Sequence, residues 1–195
     1  MKTPHLPWKW IIPIVLVSII IADAFVQKHM DIVLQGFFCN DENNYFPASN
    51  MEKAYEAYLG LGKWQRVHFE DDLFVEIGSR KDYTTASASK IVAYAAAKEL
   101  DFLVVPEHLI SHYANAFTLV DLSTLTSQKL SLFLSGTDRK PRCLLDLGES
   151  RYLKGKTTTE SYFLMVPETS RRKEAVRQFL TYVFSEDMKR SLPNR

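Results

Sequence analysis

Between residues 31 and 184 short apolar runs alternate with segments whose apolar positions recur at helical spacing. Asp31 to Phe38 is an apolar run closed by the polar stretch Asn40-Asp41-Glu42-Asn43-Asn44, which predicts a strand. Ser49-Asn50-Met51-Glu52 has the Ser-x-x-Glu form of a capping box. Met51, Ala54, Tyr55, Tyr58 and Leu59 then predict a helix that ends at Gly60 and Gly62. In Arg66-Val67-His68-Phe69-Glu70 polar and apolar residues alternate, as in a half-buried strand, and Leu73 to Ile77 reads as a second strand or its continuation. Thr84-Thr85-Ala86-Ser87 opens a helix with Ala88, Ile91, Val92, Ala95 and Ala96 on one face and Lys90, Tyr94 and Lys98 on the other.

Phe102 to Val105 is apolar at every position, as in a strand covered on both faces. Pro106 opens a short helix with Leu109, Ile110 and Tyr113 inward. Leu119 to Leu122 reads as briefly extended, residues 124–134 as helical, Cys143 to Leu147 as a short strand and residues 148–160 as loop. Tyr162 to Val166 is another all-apolar strand. Ala175, Val176, Phe179, Leu180, Val183 and Phe184 give the stripe of a last helix. This order predicts an α/β fold, an open three-layer sheet with helices on both faces.

Ahead of this body, Trp8 to Val26 is about 19 residues long with an uncharged centre from Ile11 to Ala22, close to the length that spans a bilayer as a helix. Lys2 and Lys9 precede the centre and Asp23 follows it, which places the body outside the cytoplasm. Trp8 and Trp10 suit the interfacial belt. The expected organisation is a cytoplasmic N-terminus over 1–7, a transmembrane anchor over 8–26 and an extracytoplasmic α/β domain over 27–195. A cleaved signal peptide is the other reading, because Ala22-Asp23-Ala24 has the small-x-small form of a cleavage site. In that case the domain is secreted.

Composition narrows the field. A chain of 195 residues with 46% hydrophobic residues can build a core, which argues against disorder. Its net charge of +1 lacks the basic surplus of a nucleic-acid binder. Two cysteines exclude a multi-disulfide scaffold and a four-cysteine zinc site. Cys39 and Cys143 stand as a pair in an oxidising exterior or as two separate buried thiols.

The run from Lys90 to Val105, an Ala-rich helix leading through a short turn and Asp101 into a buried strand, resembles a segment of bacterial extracellular solute-binding proteins. Tyr113-Ala114 and Leu119-Val120-Asp121-Leu122 resemble the end of that family's first lobe. Phe163 to Pro167 resembles its return strand, and Ala175-Val176-Arg177-Gln178-Phe179-Leu180-Thr181-Tyr182 its Ala-x-x-Phe-Leu-x-Tyr helix. The resemblance implies one lobe of a type II periplasmic binding protein, with solute binding beside an ABC importer as its activity. A permease would be the partner and no cofactor would be needed. The chain departs from the pattern at Lys98-Glu99-Leu100, where the family has Gly and Pro. Only about 40 residues separate Leu122 from Tyr162, too few for a second lobe of ordinary domain size.

In open α/β sheets ligands lie beyond the carboxyl ends of the strands. That rule singles out Phe37, Phe38, Asn40 and Asp41, then Thr84, Thr85 and Ser87 at a helix start, then Pro106 and Glu107. Helix-start hydroxyls and N–H groups can hold a carboxylate or a sugar; plain helix capping explains the same residues. His108 and His112 share a helix face at metal-ligand spacing, but no Glu follows His108 and a third ligand is not evident, so they read as solvated and no metal is expected. Arg171-Arg172-Lys173 and Arg139, Lys140 and Arg142 are basic clusters that suit lipid headgroups, an acidic partner or plain solvation. No Gly-x-Ser-x-Gly, phosphate loop or His-Glu-x-x-His is present, so an enzyme is not expected. The expected function is solute binding, with a non-catalytic protein-interaction module as the alternative.

Overall fold

From Leu34 to Cys39 every residue of the first strand, β1 (Asp31–Cys39), is buried, because a sheet neighbour lies on each side and helices on each face. The computed structural model describes residues 30–185 apart from 129, 136 and 137, and the single positions 13 and 15. Over 130–135 and 138–142 it describes the backbone alone. After β1 come α1 (Ala48–Leu59), β2 (Gln65–Leu73), α2 (Asp82–Ala96), β3 (Phe102–Pro106), α3 (Ile110–Ala116), β4 (Leu130–Ser135), β5 (Asp138–Asp146), β6 (Tyr162–Met165) and α4 (Lys173–Phe184). They form one α/β unit around a mixed sheet of order β2-β1-β3-β6-β5-β4. Strands β1, β2 and β3 are parallel. Strand β6 runs antiparallel to β3, β5 to β6 and β4 to β5.

Alternating residues of the central strands supply two cores. Leu34, Phe38, Phe102, Val104 and Leu164 pack with Met51 and Tyr55 of α1 and with Val176, Phe179 and Val183 of α4. Phe37, Cys39, Leu103, Val105 and Met165 pack on the other face with Ile91 and Ala95 of α2 and with Ile110, Tyr113 and Ala114 of α3. The all-apolar strands read from the sequence, β3 and β6, are thus the two mid-sheet strands covered on both faces.

On the α1/α4 face the Phe102 ring lies over Gly36, its cross-strand partner, and stacks on Phe179 with centroids 4.7 Å apart. A Cβ at position 36 would sit 2.0 Å from that ring. Gly36 is required here for close approach.

Asp101, fully buried, joins β3 to β1. Its backbone N–H donates to the Gln35 carbonyl at 2.9 Å. Its carboxylate accepts from the Gln35 N–H at 2.8 Å, the Ser170 hydroxyl at 2.9 Å and Arg172 Nε at 2.7 Å. Arg172 also donates to the Glu99 carbonyl at 3.0 Å. One carboxylate therefore ties β1, the turn before β3 and the segment leading into α4.

Edge strand β2 is shielded by α1. The Val67 N–H donates to Glu56 at 2.8 Å and the Phe69 N–H to Glu52 at 2.6 Å. Here the structure departs from the capping-box expectation. Glu52 is spent on β2, the N-cap is Pro47 without a side-chain cap, and Asp71 of β2 accepts the Ala48 N–H at 2.8 Å. A free sheet edge claims the carboxylates that sequence spacing assigned to the helix.

Further boundaries also differ. Residues 124–134 are not a helix: a short 3-10 turn covers Leu122–Thr124, and β4 begins at Leu130. Leu130-Ser131-Leu132-Phe133-Leu134-Ser135 has Leu at period two, and β5 supplies the partner that turns this pattern into a strand. The Cys143–Leu147 strand extends back to Asp138 for the same reason. Residues 74–77 form no strand. Helix α2 starts at Asp82, so the Thr84–Ser87 stretch lies within it. Among the described residues no helix is long and apolar enough to cross a membrane. The expected transmembrane segment over 8–26 lies outside the described residues except for Pro13 and Val15. The side chains of Arg139, Lys140 and Arg142 also lie outside them.

Asp101→Ala would strand the Arg172 guanidinium and two further donors, so urea unfolding should show a loss of about 3–5 kcal/mol. Gly36→Ala should cost at least about 1–3 kcal/mol by overpacking, and Phe102→Leu in the same chain should recover part of that loss, a non-additivity that the same urea titrations would reveal.

Candidate functional site

Strands β1 and β2 are joined by α1 over one face. Strand β3 lies on the opposite side of β1 from β2 and is reached through α2 over the other face. The connections therefore diverge at the carboxyl ends of β1 and β3, which leaves a crevice there. The crevice encloses about 550 Å³ and is lined by the loop after β1 (Asn40, Glu42, Asn43), residues 74–77 after β2, His108 after β3, and Thr159, Glu160 and Tyr162 at the amino end of β6. Because β6 is antiparallel, its first residues meet the last residues of the parallel strands.

Asn40 holds the floor together. Its φ of 56° lies in the left-handed region, which Asn tolerates better than most residues. The turned backbone lets its side chain clamp the segment that leaves β2: Oδ1 accepts the Val75 N–H at 2.8 Å and Nδ2 donates to the Val75 carbonyl at 3.0 Å. Its own N–H donates to the Leu73 carbonyl at 2.9 Å. The Tyr162 hydroxyl donates to the Asn40 carbonyl at 3.0 Å, which links β1 to β6. Asn40 thus lines the crevice with its polar atoms already engaged. Asp41 is likewise spent on its own loop, accepting the N–H groups of Tyr45 at 2.8 Å and Phe46 at 2.6 Å.

Three of the residues that line the crevice are acidic. Glu42, Glu76 and Glu160 supply carboxylates, with Phe74 and Tyr162 as aromatic walls. Glu160 accepts from or pairs with His108 Nδ1 at 2.8 Å, and Glu76 pairs with Lys81 at 3.3 Å. The Tyr162 hydroxyl is held well above the ordinary phenol range, first by burial and then by the negative charge of Asp41 and Glu160.

The residues singled out from the sequence scatter around this crevice. Phe37 and Phe38 lie behind it, one in each core. Thr84 is buried and donates to the Lys81 carbonyl at 2.9 Å. Thr85 is an exposed helix residue, and Ser87 reaches the crevice only indirectly, accepting the Phe74 N–H at 3.2 Å. Pro106 is buried and Glu107 exposed; neither lines the crevice. Sequence reasoning missed Phe74 to Ile77, then Glu42 and Asn43 in the loop after β1, and Thr159, Glu160 and Tyr162, and it read His108 as solvated. The carboxyl-end rule reaches the first group once β2 is known to stop at Leu73, but the reversed direction of β6 is a property of the assembled sheet.

His108 faces the crevice while His112 sits edge-on to Tyr113, centroids 4.9 Å apart, so the two histidines do not act as a pair. Among the described residues no group of three or more His, Cys, Asp or Glu is placed to hold a metal. Cys39 and Cys143 are buried and are not joined in a disulfide. Two strands separate β1 from β5, which puts them about 14 Å apart across the sheet, beyond disulfide reach. Arg172 and Lys173 of the basic cluster are paired, with Asp101 and with Glu168 at 2.5 Å. Compared with protein families, with characterised proteins and with solved structures, the chain matches none.

Burial pushes up the hydroxyls of Tyr55, Tyr113, Tyr152 and Tyr162 and the Cys39 thiol. Above the ordinary pKa of each group the unfolded chain releases protons that the folded chain keeps, so stability falls as pH rises. Unfolding titrations should give a flat profile up to about pH 8 and a steep loss above about pH 10, where each phenol contributes up to about 1.4 kcal/mol per pH unit.

Proposed function

We propose that this chain is an extracytoplasmic binding domain, tethered to the membrane by residues 8–26, that holds a small cationic solute in the crevice at the carboxyl ends of β1 and β3. The reading carries the sequence resemblance forward: the domain corresponds to one lobe of a solute-binding protein and works beside an ABC importer. The observation that carries it is the crevice at the point where the connections diverge, with a volume of about 550 Å³, within the usual range for small-ligand sites. The carboxylates of Glu42, Glu76 and Glu160 favour an ammonium or guanidinium group, and the partly exposed Phe74 offers aromatic surface to it. The antiparallel strand β6 beside β3 agrees with the return strand of the resemblance.

The segment between Leu122 and Tyr162 forms the β4–β5 hairpin and extends the same sheet. The crevice therefore has one lobe and an open side. That openness favours modest affinity, since a two-lobed clamp gains from closing around its solute. One observation supports the alternative, a protein partner over the open side: Ile77 is 59% exposed at the rim and Tyr83, packed against Phe74, is 53% exposed.

A melting-temperature screen of the full chain in detergent, against amines, amino acids, sugars, peptides and organic anions, checks the reading. An amine-bearing solute at one hundred times its Kd should stabilise by about 2.7 kcal/mol, a rise of roughly 5–10 °C. Glu160→Gln and Glu76→Gln should shrink that rise. No shift across the panel, or an equal shift with anions, would exclude cationic-solute binding.

A further inference from the structure

Strand β3 pairs with β1 only from Gly36 onward. Asp101 flanks β1 at Gln35, and residues 31–33, the part of β1 that is not buried, reach with the first residues of β2 about 10 Å beyond the buried part of the parallel sheet. This projecting end is where the described chain begins. It is closed by the turn from Gly60 to Trp64, which follows α1. Gly60 adopts a φ of 63°, and its N–H donates to the Glu56 carbonyl to end that helix. The Trp64 carbonyl accepts the Asp31 N–H at 2.8 Å, so Trp64 sits directly beside the start of β1.

Trp64 is 52% exposed, which leaves its indole open to solvent beside the start of β1. Lys63 is exposed, with its Nζ 5.5 Å from the Trp64 ring centroid. An indole beside a lysine is the pairing favoured at the membrane–water boundary: the ring settles among the headgroups and the ammonium reaches lipid phosphate. Chain length supplies the independent constraint. The apolar run ends at Val26, and five residue steps lead from there to Asp31. Fully extended, those steps span at most about 18 Å. If the run is in the bilayer, the projecting end cannot leave the membrane surface. The intervening sequence, Gln27-Lys28-His29-Met30, includes the basic residue Lys28.

We infer that the turn from Gly60 to Trp64 rests in the headgroup layer, with Trp64 as an interfacial anchor and Lys63 on lipid phosphate. The inference builds on the membrane tether proposed above. It fixes the orientation of the domain: the amino ends of β1 and β2 meet the lipid and the crevice at the carboxyl ends faces away from it.

The chain holds three tryptophans, so Trp8→Phe with Trp10→Phe leaves Trp64 as the single emitter. That full-length chain is reconstituted into phosphatidylcholine–phosphatidylglycerol vesicles containing lipid spin-labelled near the headgroup. The expected result is flotation with the vesicles and loss of at least half the Trp64 emission on adding labelled lipid. A control chain that also carries Trp64→Phe and Tyr83→Trp moves the emitter to the start of α2, at the other end of the sheet, and should keep its emission. Flotation with Trp64 emission unchanged, or with both emitters quenched alike, overturns the lipid-facing turn and leaves the tether standing. Failure to float overturns both.

Discussion

A single buried carboxylate holds the two halves of this fold in register. Asp101 lies at the turn into β3, and its oxygens satisfy a main-chain donor of β1, a hydroxyl before α4 and the Arg172 guanidinium. Burying a charge this completely is tolerable only when donors surround it. Because Gln35 both donates to and accepts from Asp101, β3 can begin only at the level of Gly36. That register brings the Phe102 ring over Gly36 and against Phe179, so polar and aromatic contacts specify the same strand alignment. It also sets the two features on which the proposals rest: β1 and β2 project at one end, and the connections diverge into a crevice at the other.

The edge strand β2 poses a second constraint. Its outward N–H groups would otherwise be open to pairing with another chain, and Glu52 and Glu56 of α1 occupy them. The same contacts seat α1 against the sheet. On the far side the β4–β5 hairpin lengthens the sheet beyond β6 instead of building a second lobe. The proposed binding surface is consequently a one-walled crevice whose shape is fixed by Asn40, which follows β1 and binds the end of β2 through its N–H, the segment after β2 through its side chain and β6 through its carbonyl. Its polar atoms are committed to that work, so Asn40 shapes the crevice.

The central strands were legible because two-sided burial demands apolar residues at every position, which Phe102 to Val105 and Tyr162 to Met165 satisfy. The helical stripes of α1, α2 and α4 were legible for the corresponding reason at period 3.6. Leu130 to Ser135 was misread because leucines suit helix and strand alike, and the deciding partner, β5, is established only by pairing. At the crevice the carboxyl-end rule reached Asn40 but not Glu160 or Tyr162, which arrive from a strand running the other way.

Local pattern, then, determined the central strands and the helices α1, α2 and α4, that two layers of helix must cover a sheet, and that an apolar segment precedes the domain. These depend on side-chain periodicity and length, properties each segment carries alone. Strand order, the direction of β6, the spending of Glu52 on an edge strand and the pairing of Arg172 with Asp101 were decided only in the tertiary structure. Each depends on which distant donor and acceptor come within about 3 Å of one another, and that distance is set by the packing of the whole chain.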